Sequence, residues 1–251
     1  MVALVAGATP LGAQEPASPP PVEFMPRVAF HLSAEKLGGV ENERYRWDTN
    51  FGGELDIIDY RVGRSTFVAN YQAILGEEIR PFDPNQGNYI LEGSASVRLP
   101  RAEIAGVFYH QSRHLSDRPK IVPVDWNMLG VRARHAFIAG AVHLDARVDV
   151  RGTLLRSYVD YTWELDGRIR GDRVLRPGVG VLFAGQVRHL GVDGSRDRGA
   201  QTGYRAEGGV RLEGGAGAME FFVAAERRID PYPLEFGTVT WASVGFRLLS
   251  R

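Results

Sequence analysis

The sequence lacks cysteine altogether among its 251 residues. This absence excludes a disulfide framework and a metal site built from thiolates, and it is compatible with any compartment. The chain also lacks a net charge, because 30 lysines and arginines balance 30 aspartates and glutamates. Without a charge excess there is no broad attraction to phosphate backbones, so we expect no nucleic-acid partner.

A long apolar run is missing as well. The longest one lies near the N-terminus, and none approaches the ~20 residues that a membrane-spanning helix needs. A chain of this kind can cross a membrane only as a closed barrel, since lipid offers unpaired backbone groups no hydrogen-bond partner. Hydrophobic residues nevertheless make up 44% of the chain, which indicates a folded protein rather than a disordered one.

Residues 1–13 predict a secretory signal peptide. They are short and apolar and end in small residues, with cleavage expected after Ala13. The alternative is a simple apolar tail, because no lysine or arginine precedes the apolar core. Residues 14–26 include three consecutive prolines and predict a stiff, extended linker. We expect the folded domain to occupy residues 27–251.

Within this domain, apolar and polar residues alternate with a period of two. The segment Val142–Arg151 is the clearest case, with histidine, aspartate and arginine between apolar residues. Such alternation puts apolar side chains on one face of a sheet and polar ones on the other. It predicts an all-β fold of about twelve strands, most of them near the ~9–11 residues of a tilted membrane strand. The predicted strands centre on Phe30, Gly53, Ala69, Gly93, Gly106, Gly130, Ala146, Tyr161, Val181, Ala206, Val223 and Ser243.

The predicted connections alternate in length. Tight turns, such as Leu99–Arg101 and Arg170–Asp172, alternate with longer polar loops, such as Gly76–Gly87 and Ile229–Glu235. Short turns at one rim and long loops at the other are typical of a closed antiparallel up-and-down transmembrane β-barrel. We therefore predict a barrel in a bacterial outer membrane with both termini periplasmic. A soluble barrel or a sandwich is the alternative, since the period alone does not say which face points inward.

The polar face of the predicted strands carries charges of both signs, which predicts a lumen filled by mixed charges. The residues expected to line it are Arg147, Asp149, Glu164, Arg205, Glu207 and Glu220. Such a lumen is plugged or leaves only a narrow path, which argues against a general diffusion porin. The strand pattern alone favours a non-enzymatic envelope barrel, either structural or a narrow channel.

The last predicted strand, Thr238–Leu249, resembles the terminal strand by which outer-membrane barrels are recognised for insertion. Val244, Phe246 and Leu248 fall on one face of it, although the chain ends in Leu249–Arg251 and not in an aromatic residue. The resemblance implies the barrel-assembly machinery and outer-membrane lipid as partners. Nothing in the sequence indicates an oligomeric state.

One segment carries residues with catalytic chemistry. His110 and Ser112 lie two residues apart on the fifth predicted strand and project from the same face as Phe108. The same reasoning puts Asn127, on the sixth strand, on the outer wall. Imidazole can take a serine proton and an amide can fix the imidazole tautomer, so these are the roles of a nucleophilic triad. The alternative is a hydrogen-bonded patch at the start of a loop.

The segment resembles the outer membrane phospholipase A family, a twelve-stranded barrel with a His-x-Ser pair and a later Trp-Asn on its exterior. The matching residues are His110, Ser112, Trp126 and Asn127. The resemblance implies an outer-membrane lipid acyl-ester hydrolase, with calcium as its possible cofactor; without that activity we expect no cofactor. The sequence departs from the family at Arg113–His114, where the family has Asn-Gly.

Two further families share parts of this segment. Lipid A deacylases of the outer membrane have a similar His-x-Ser on lipid-facing strands and a glutamate as third member, for which Asp125 is the nearest acid. An uncharacterised family of bacterial envelope barrels has the pattern Tyr-His-x-Ser-x-His-Leu-x-Asp, which implies no activity. That pattern is matched at Tyr109, His110, Ser112, His114, Leu115 and Asp117.

A weaker candidate is an acidic loop. The side chains of Glu77, Glu78 and Asp83 could bind a cation through their oxygens. Their spacing matches no calcium loop, and a turn-rich rim loop is the alternative.

Overall fold

The computed structural model describes residues 22–250, so the predicted signal peptide lies outside the described residues. No helix in this part of the chain is long and apolar enough to cross a membrane. The strands are β1 (Glu23–Gly38), β2 (Trp47–Asp59), β3 (Arg64–Gly76), β4 (Asp83–Arg98), β5 (Glu103–Leu115), β6 (Asp125–Ala139), β7 (Val142–Ser157), β8 (Tyr161–Arg176), β9 (Val179–Val192), β10 (Gln201–Glu213), β11 (Gly217–Ile229) and β12 (Thr238–Ser250).

The strands pair in chain order and close into a barrel. Every neighbouring pair is antiparallel, and β1 completes the circle by pairing with β12 from His31–Leu249 to Gly38–Ala242. Closure leaves no unpaired strand edge, which satisfies the backbone groups of every strand. The predicted twelve-stranded, all-β, up-and-down barrel is thereby confirmed. Its first strand begins at Glu23, inside the segment predicted to be a linker.

The two faces of the strands differ in chemistry as the period of two predicts. On β7, Val148 and Val150 are 46% and 52% exposed on the outer surface, whereas Asp149 and Arg151 are 0% and 2% exposed inside. The same alternation recurs around the barrel and leaves a belt of exposed apolar side chains outside. An apolar surface of this extent is favourable against lipid and costly against water.

The connections differ between the two ends of the barrel. Five short turns lie at one end, at residues 60–63, 99–102, 140–141, 177–178 and 214–216. The other end carries the connections 39–46, 77–82, 116–124, 158–160, 193–200 and 230–237. The described chain begins and ends at the short-turn end.

One predicted tight turn was wrong. Residues Arg170–Asp172 lie inside β8, and the chain turns at Pro177–Gly178. Gly171 suggested a turn, but it has a packing role in the strand, because a Cβ there would lie 2.3 Å from the ring of Phe183 on β9. The glycine makes room for an aromatic side chain of the neighbouring strand.

Ion pairs fill much of the interior. All six charged residues predicted to line the lumen take part in them. Glu220 is fully buried, and its carboxylate lies 2.6 Å from Arg211 and 2.9 Å from Arg247. This pairing is needed because an isolated charge taken out of water costs several kcal/mol.

Two apolar clusters close the long-loop end of the lumen. One includes Tyr109 on β5, and the other includes Tyr45 and Trp241. The connection 230–237, here called the plug loop, lies between them, and its Leu234 packs against both clusters. The barrel is therefore capped at this end by its own chain.

Polar contacts hold the plug loop in place. Arg198 binds the carboxylates of Asp160 and Asp230 at 2.6 and 2.8 Å, and Gln86 donates to the backbone oxygen of Pro231 at 2.7 Å. Burial alone would lower the pKa of the Arg198 guanidinium, but the two carboxylates raise that pKa above its ordinary value. The charge that anchors the loop is thus permanent.

Candidate functional site

The three residues predicted to form a triad lie on the outer wall, near the long-loop end. On β5, His110 and Ser112 share the outward face with Phe108, which is 44% exposed. Tyr109, between Phe108 and His110, is 9% exposed and points inward. On β6, Asn127 shares the outward phase with Leu129, and it is paired directly with His110 in the strand register. The backbone register therefore brings an imidazole and an amide face to face.

His110 and Asn127 are in contact. The Nδ1 atom of His110 lies 2.8 Å from the Oδ1 atom of Asn127. Because an amide oxygen only accepts, this contact makes Nδ1 the protonated nitrogen and leaves Nε2 as the basic one. An imidazole held in this tautomer is prepared to accept a proton at Nε2.

Ser112 contacts the other histidine of the segment. Its Oγ atom lies 3.3 Å from Nε2 of His114, and no hydrogen bond joins it to His110 within residues 22–250. The structure thus brings His110 to Asn127 and leaves Ser112 beside His114. Ser112 and His110 still share one face of one strand, two residues apart.

A row of rings marks the depth of the site on the barrel wall. Phe51, Tyr71, Tyr89 and His114 lie on four successive strands, with centroids 5.2, 4.8 and 5.3 Å apart. Tyr89 is paired with Ser112 in the register of β4 and β5. Aromatic residues form girdles at the interfaces of membrane barrels, and Ser112 lies beside a row of rings of this kind.

Two charged groups lie beside the serine. Asp125 is paired with Ser112 across β5 and β6. Lys120, in the connection 116–124, donates to the backbone oxygen of Arg113 at 2.5 Å. Burial lowers the pKa of the Lys120 ammonium, and the carboxylate of Asp125 opposes this effect. The polar cluster therefore continues from the wall into the loop.

The acidic side chains of the loop are paired with arginines. Glu77 pairs with Arg46 at 3.0 Å, and Arg118 lies 2.8 Å from Glu78 and 2.5 Å from Asp83. Within residues 22–250, no group of three or more acidic or imidazole side chains is arranged to hold a metal ion. The carboxylates of this loop are thus occupied by arginines, and this loop does not fit the calcium implied by the phospholipase resemblance.

A second hydrogen-bonded histidine on the outer wall, paired with a threonine, was missed by sequence reasoning. His189 on β9 lies 2.8 Å, through Nδ1, from the hydroxyl of Thr202 on β10. Trp163 on β8 packs its ring 5.3 Å from that histidine. The signal was present in the sequence, because His189 falls in the same phase as Val187 and Phe183. This pair has no amide partner and provides a matched control for the His110 site.

Comparisons with known proteins show which solved structures share this fold. No family model matches the chain, and no curated protein matches its sequence. Among solved structures, outer membrane phospholipase A from Escherichia coli is 12% identical, with 88% of this chain and 92% of that chain covered and a TM-score of 0.53. An active-site mutant of the same enzyme is 13% identical, with 94% of both chains covered and a TM-score of 0.55.

A channel gives a similar match. The structure of an outer membrane channel from Pseudomonas putida F1 is 10% identical, with 89% of this chain and 94% of that chain covered and a TM-score of 0.55. An enzyme and a channel therefore match equally well, so the likeness concerns the architecture and not the activity. The chain has the fold of the bacterial outer-membrane β-barrels.

Proposed function

We propose that this protein is an outer-membrane β-barrel that hydrolyses acyl esters of membrane lipids at a site on its outer wall. The contact of 2.8 Å between His110 and Asn127 carries the proposal. Polar side chains on a lipid-facing wall are costly unless they are paired or functional. Here the pairing sets the imidazole tautomer that general-base catalysis requires, two residues from a serine.

The membrane setting supports the same proposal. The exposed apolar belt suits contact with lipid, so the proposed substrate is the same lipid that surrounds the barrel. In this proposal the row of rings lies at the membrane interface, which brings Ser112 close to the ester groups of lipids. In this orientation the short turns and both termini are periplasmic, and insertion depends on the barrel-assembly machinery.

The chemistry follows from the roles of the side chains. The Oγ atom of Ser112 attacks the ester carbonyl carbon and transfers its proton to Nε2 of His110. The ester C–O bond then breaks, and the imidazolium returns the proton to the departing lipid alkoxide. Water, deprotonated by the same imidazole, releases the acyl group as a fatty acid and regenerates Ser112. Asn127 holds the imidazole in place through both steps.

One rearrangement separates the observed geometry from this reaction. Ser112 has to rotate its hydroxyl away from His114 and toward Nε2 of His110. A rotation about χ1 moves a serine oxygen between staggered positions without any change in the backbone. We expect a bound ester to select the rotated form, since catalytic hydrogen bonds often form only with substrate present.

A non-enzymatic barrel is the second candidate. Two observations favour it, namely the hydrogen bond of Ser112 to His114 and the interior filled by ion pairs. In this case the outer cluster is a hydrogen-bonded patch and the protein has a structural role in the envelope. The plug loop argues against its being an open channel.

The test is the release of fatty acid from phospholipid in detergent mixed micelles by the purified, folded barrel. We expect release above the rate of detergent alone, measured by mass spectrometry, with and without added calcium. A protein that shows heat-modifiable migration, and so is folded, but releases no fatty acid under either condition is the non-enzymatic barrel.

A further inference from the structure

The lumen contains two adjoining cavities under the capped end. The larger one, of about 570 Å³, reaches the short-turn end, where Arg64 and Glu103 contribute to its wall. The smaller one, of about 310 Å³, lies below the apolar cluster that includes Tyr109 and Trp126. Both walls contain Arg168, so the cavities meet in the middle of the barrel. The smaller one, here called the upper cavity, has a volume within the ~300–1,000 Å³ of ligand sites.

The wall of the upper cavity has an excess of positive charge. Seven arginines and three acidic residues line it. Among those arginines that point inward, Arg151, Arg188 and Arg228 each have a carboxylate within 4.0 Å. Arg151 and Arg188 share one carboxylate, that of Glu164, so arginines outnumber acids in this part of the wall.

Arg113 adds to this excess without a carboxylate partner of its own. It is 6% exposed, and no carboxylate of residues 22–250 lies within 4.0 Å of its guanidinium. Its one side-chain hydrogen bond runs from Nε to Oδ1 of Asn88, at a long 3.4 Å. The two Nη atoms have no hydrogen-bond partner in the described chain. They keep some accessible surface, and Arg113 lines the upper cavity, so these atoms open onto it.

A buried guanidinium without a counter-ion is unfavourable. The carboxylate of Asp230 acts electrostatically on Arg113, but it is already bound by Arg198 and by the hydroxyl of Tyr161 at 2.7 Å. A guanidinium offers two parallel N–H donors that match a carboxylate. The position therefore suits an anion that the protein itself does not supply.

The rest of the wall indicates what kind of anion fits. Tyr109, Trp126 and Ile229 place apolar surface on the side toward the plug loop. A carboxylate attached to an apolar body can bind Arg113 and these side chains together, whereas a small inorganic ion can use only the charge. We propose that the upper cavity binds a small organic carboxylate, which enters from the short-turn end and pairs with Arg113.

Benzoate is the probe, and isothermal titration calorimetry on the intact, detergent-solubilised barrel is the measurement. We expect saturable binding of one benzoate per barrel, no binding of benzyl alcohol, and weaker binding of inorganic phosphate. Absence of saturable benzoate binding, or phosphate binding as tight as that of benzoate, overturns the proposal.

Variants locate the site. Arg113→Gln should weaken benzoate binding by about tenfold to a hundredfold, since it removes a charge-assisted pair. Arg113→Lys keeps the charge but not the two parallel donors. Its affinity for benzoate should lie between those of the native protein and of Arg113→Gln. The control is Arg98→Gln, which removes a rim arginine paired with Asp59 and should not change the affinity.

The two Arg113 variants also guard against misfolding. If the glutamine variant shows no heat-modifiable band, the comparison is made with the lysine variant alone. Unchanged affinity in a folded variant of either kind contradicts the assignment to Arg113. The cavity is separated from the outer wall by the strand backbone, so this result is independent of whether the barrel hydrolyses esters.

Discussion

Ser112→Ala should reduce fatty-acid release from mixed micelles by about a thousandfold or more, because it removes the nucleophile of a group that acts as a unit. His110→Ala should have a similar effect, since the serine proton then has no acceptor. Both substitutions shorten side chains on the outer wall and leave the interior untouched, so we expect the heat-modifiable migration of the native protein. The measurement is the initial rate of fatty-acid release at saturating phospholipid.

Three further variants assign the roles. Asn127→Ala should lower the rate less than His110→Ala, because the base is still present but no longer held in one tautomer. His114→Ala should retain activity if His110 is the base. His189→Ala, the matched change in the second outer-wall histidine pair, should also retain it. Loss of activity in His114→Ala with full activity in His110→Ala contradicts the assigned base.

Removing the cap should open the lumen to ions. Replacement of residues 231–236 by six glycines and serines deletes Leu234, which packs against both apolar clusters, and Tyr232 with it. The two cavities below would then connect the loop end to the short-turn end. In planar bilayers we expect no discrete conductance steps from the native barrel and clear steps from the variant.

The control for the plug loop changes apolar residues that are mostly exposed in other loops. Ile79 and Ile121 are 65% and 94% exposed in two other connections at the same end. Replacing both with serine should leave the barrel closed. Steps of equal size from the native protein and the plug-loop variant would show that the clusters do not seal the lumen.

Much of the fold was predictable because membrane strands have a strict period. The alternation of Val148 and Val150 with Asp149 gave the outward and inward faces of β7, and the same reasoning put His110 and Asn127 on the outer wall. The turn predicted at Arg170–Asp172 was wrong because a glycine in a strand and a glycine in a turn look alike in sequence. Only the ring of Phe183 distinguishes them, and it lies on another strand.

Features that depend on side-chain packing could not be predicted. Tyr109 and Trp126 are inward residues, but the period of two does not say that they form an apolar cap and not part of a charged lumen. The plug loop was predicted only as a polar connection, although Tyr232 and Leu234 in it are apolar. The hydrogen-bond partner of Ser112 could not be predicted either, because one histidine lies two residues before it and another lies two residues after it.

Covalent labelling tests the central claim most directly. A long-chain alkylsulfonyl fluoride dissolved in the membrane reacts with an activated serine, forming an oxygen–sulfur bond and releasing fluoride. With the native barrel in lipid vesicles, we predict one adduct per protein, mapped by peptide mass spectrometry to Ser112, and no adduct at Ser112 in His110→Ala. An unlabelled native barrel, or labelling of Ser112 that is unchanged in His110→Ala, would contradict a catalytic serine on the lipid-facing wall.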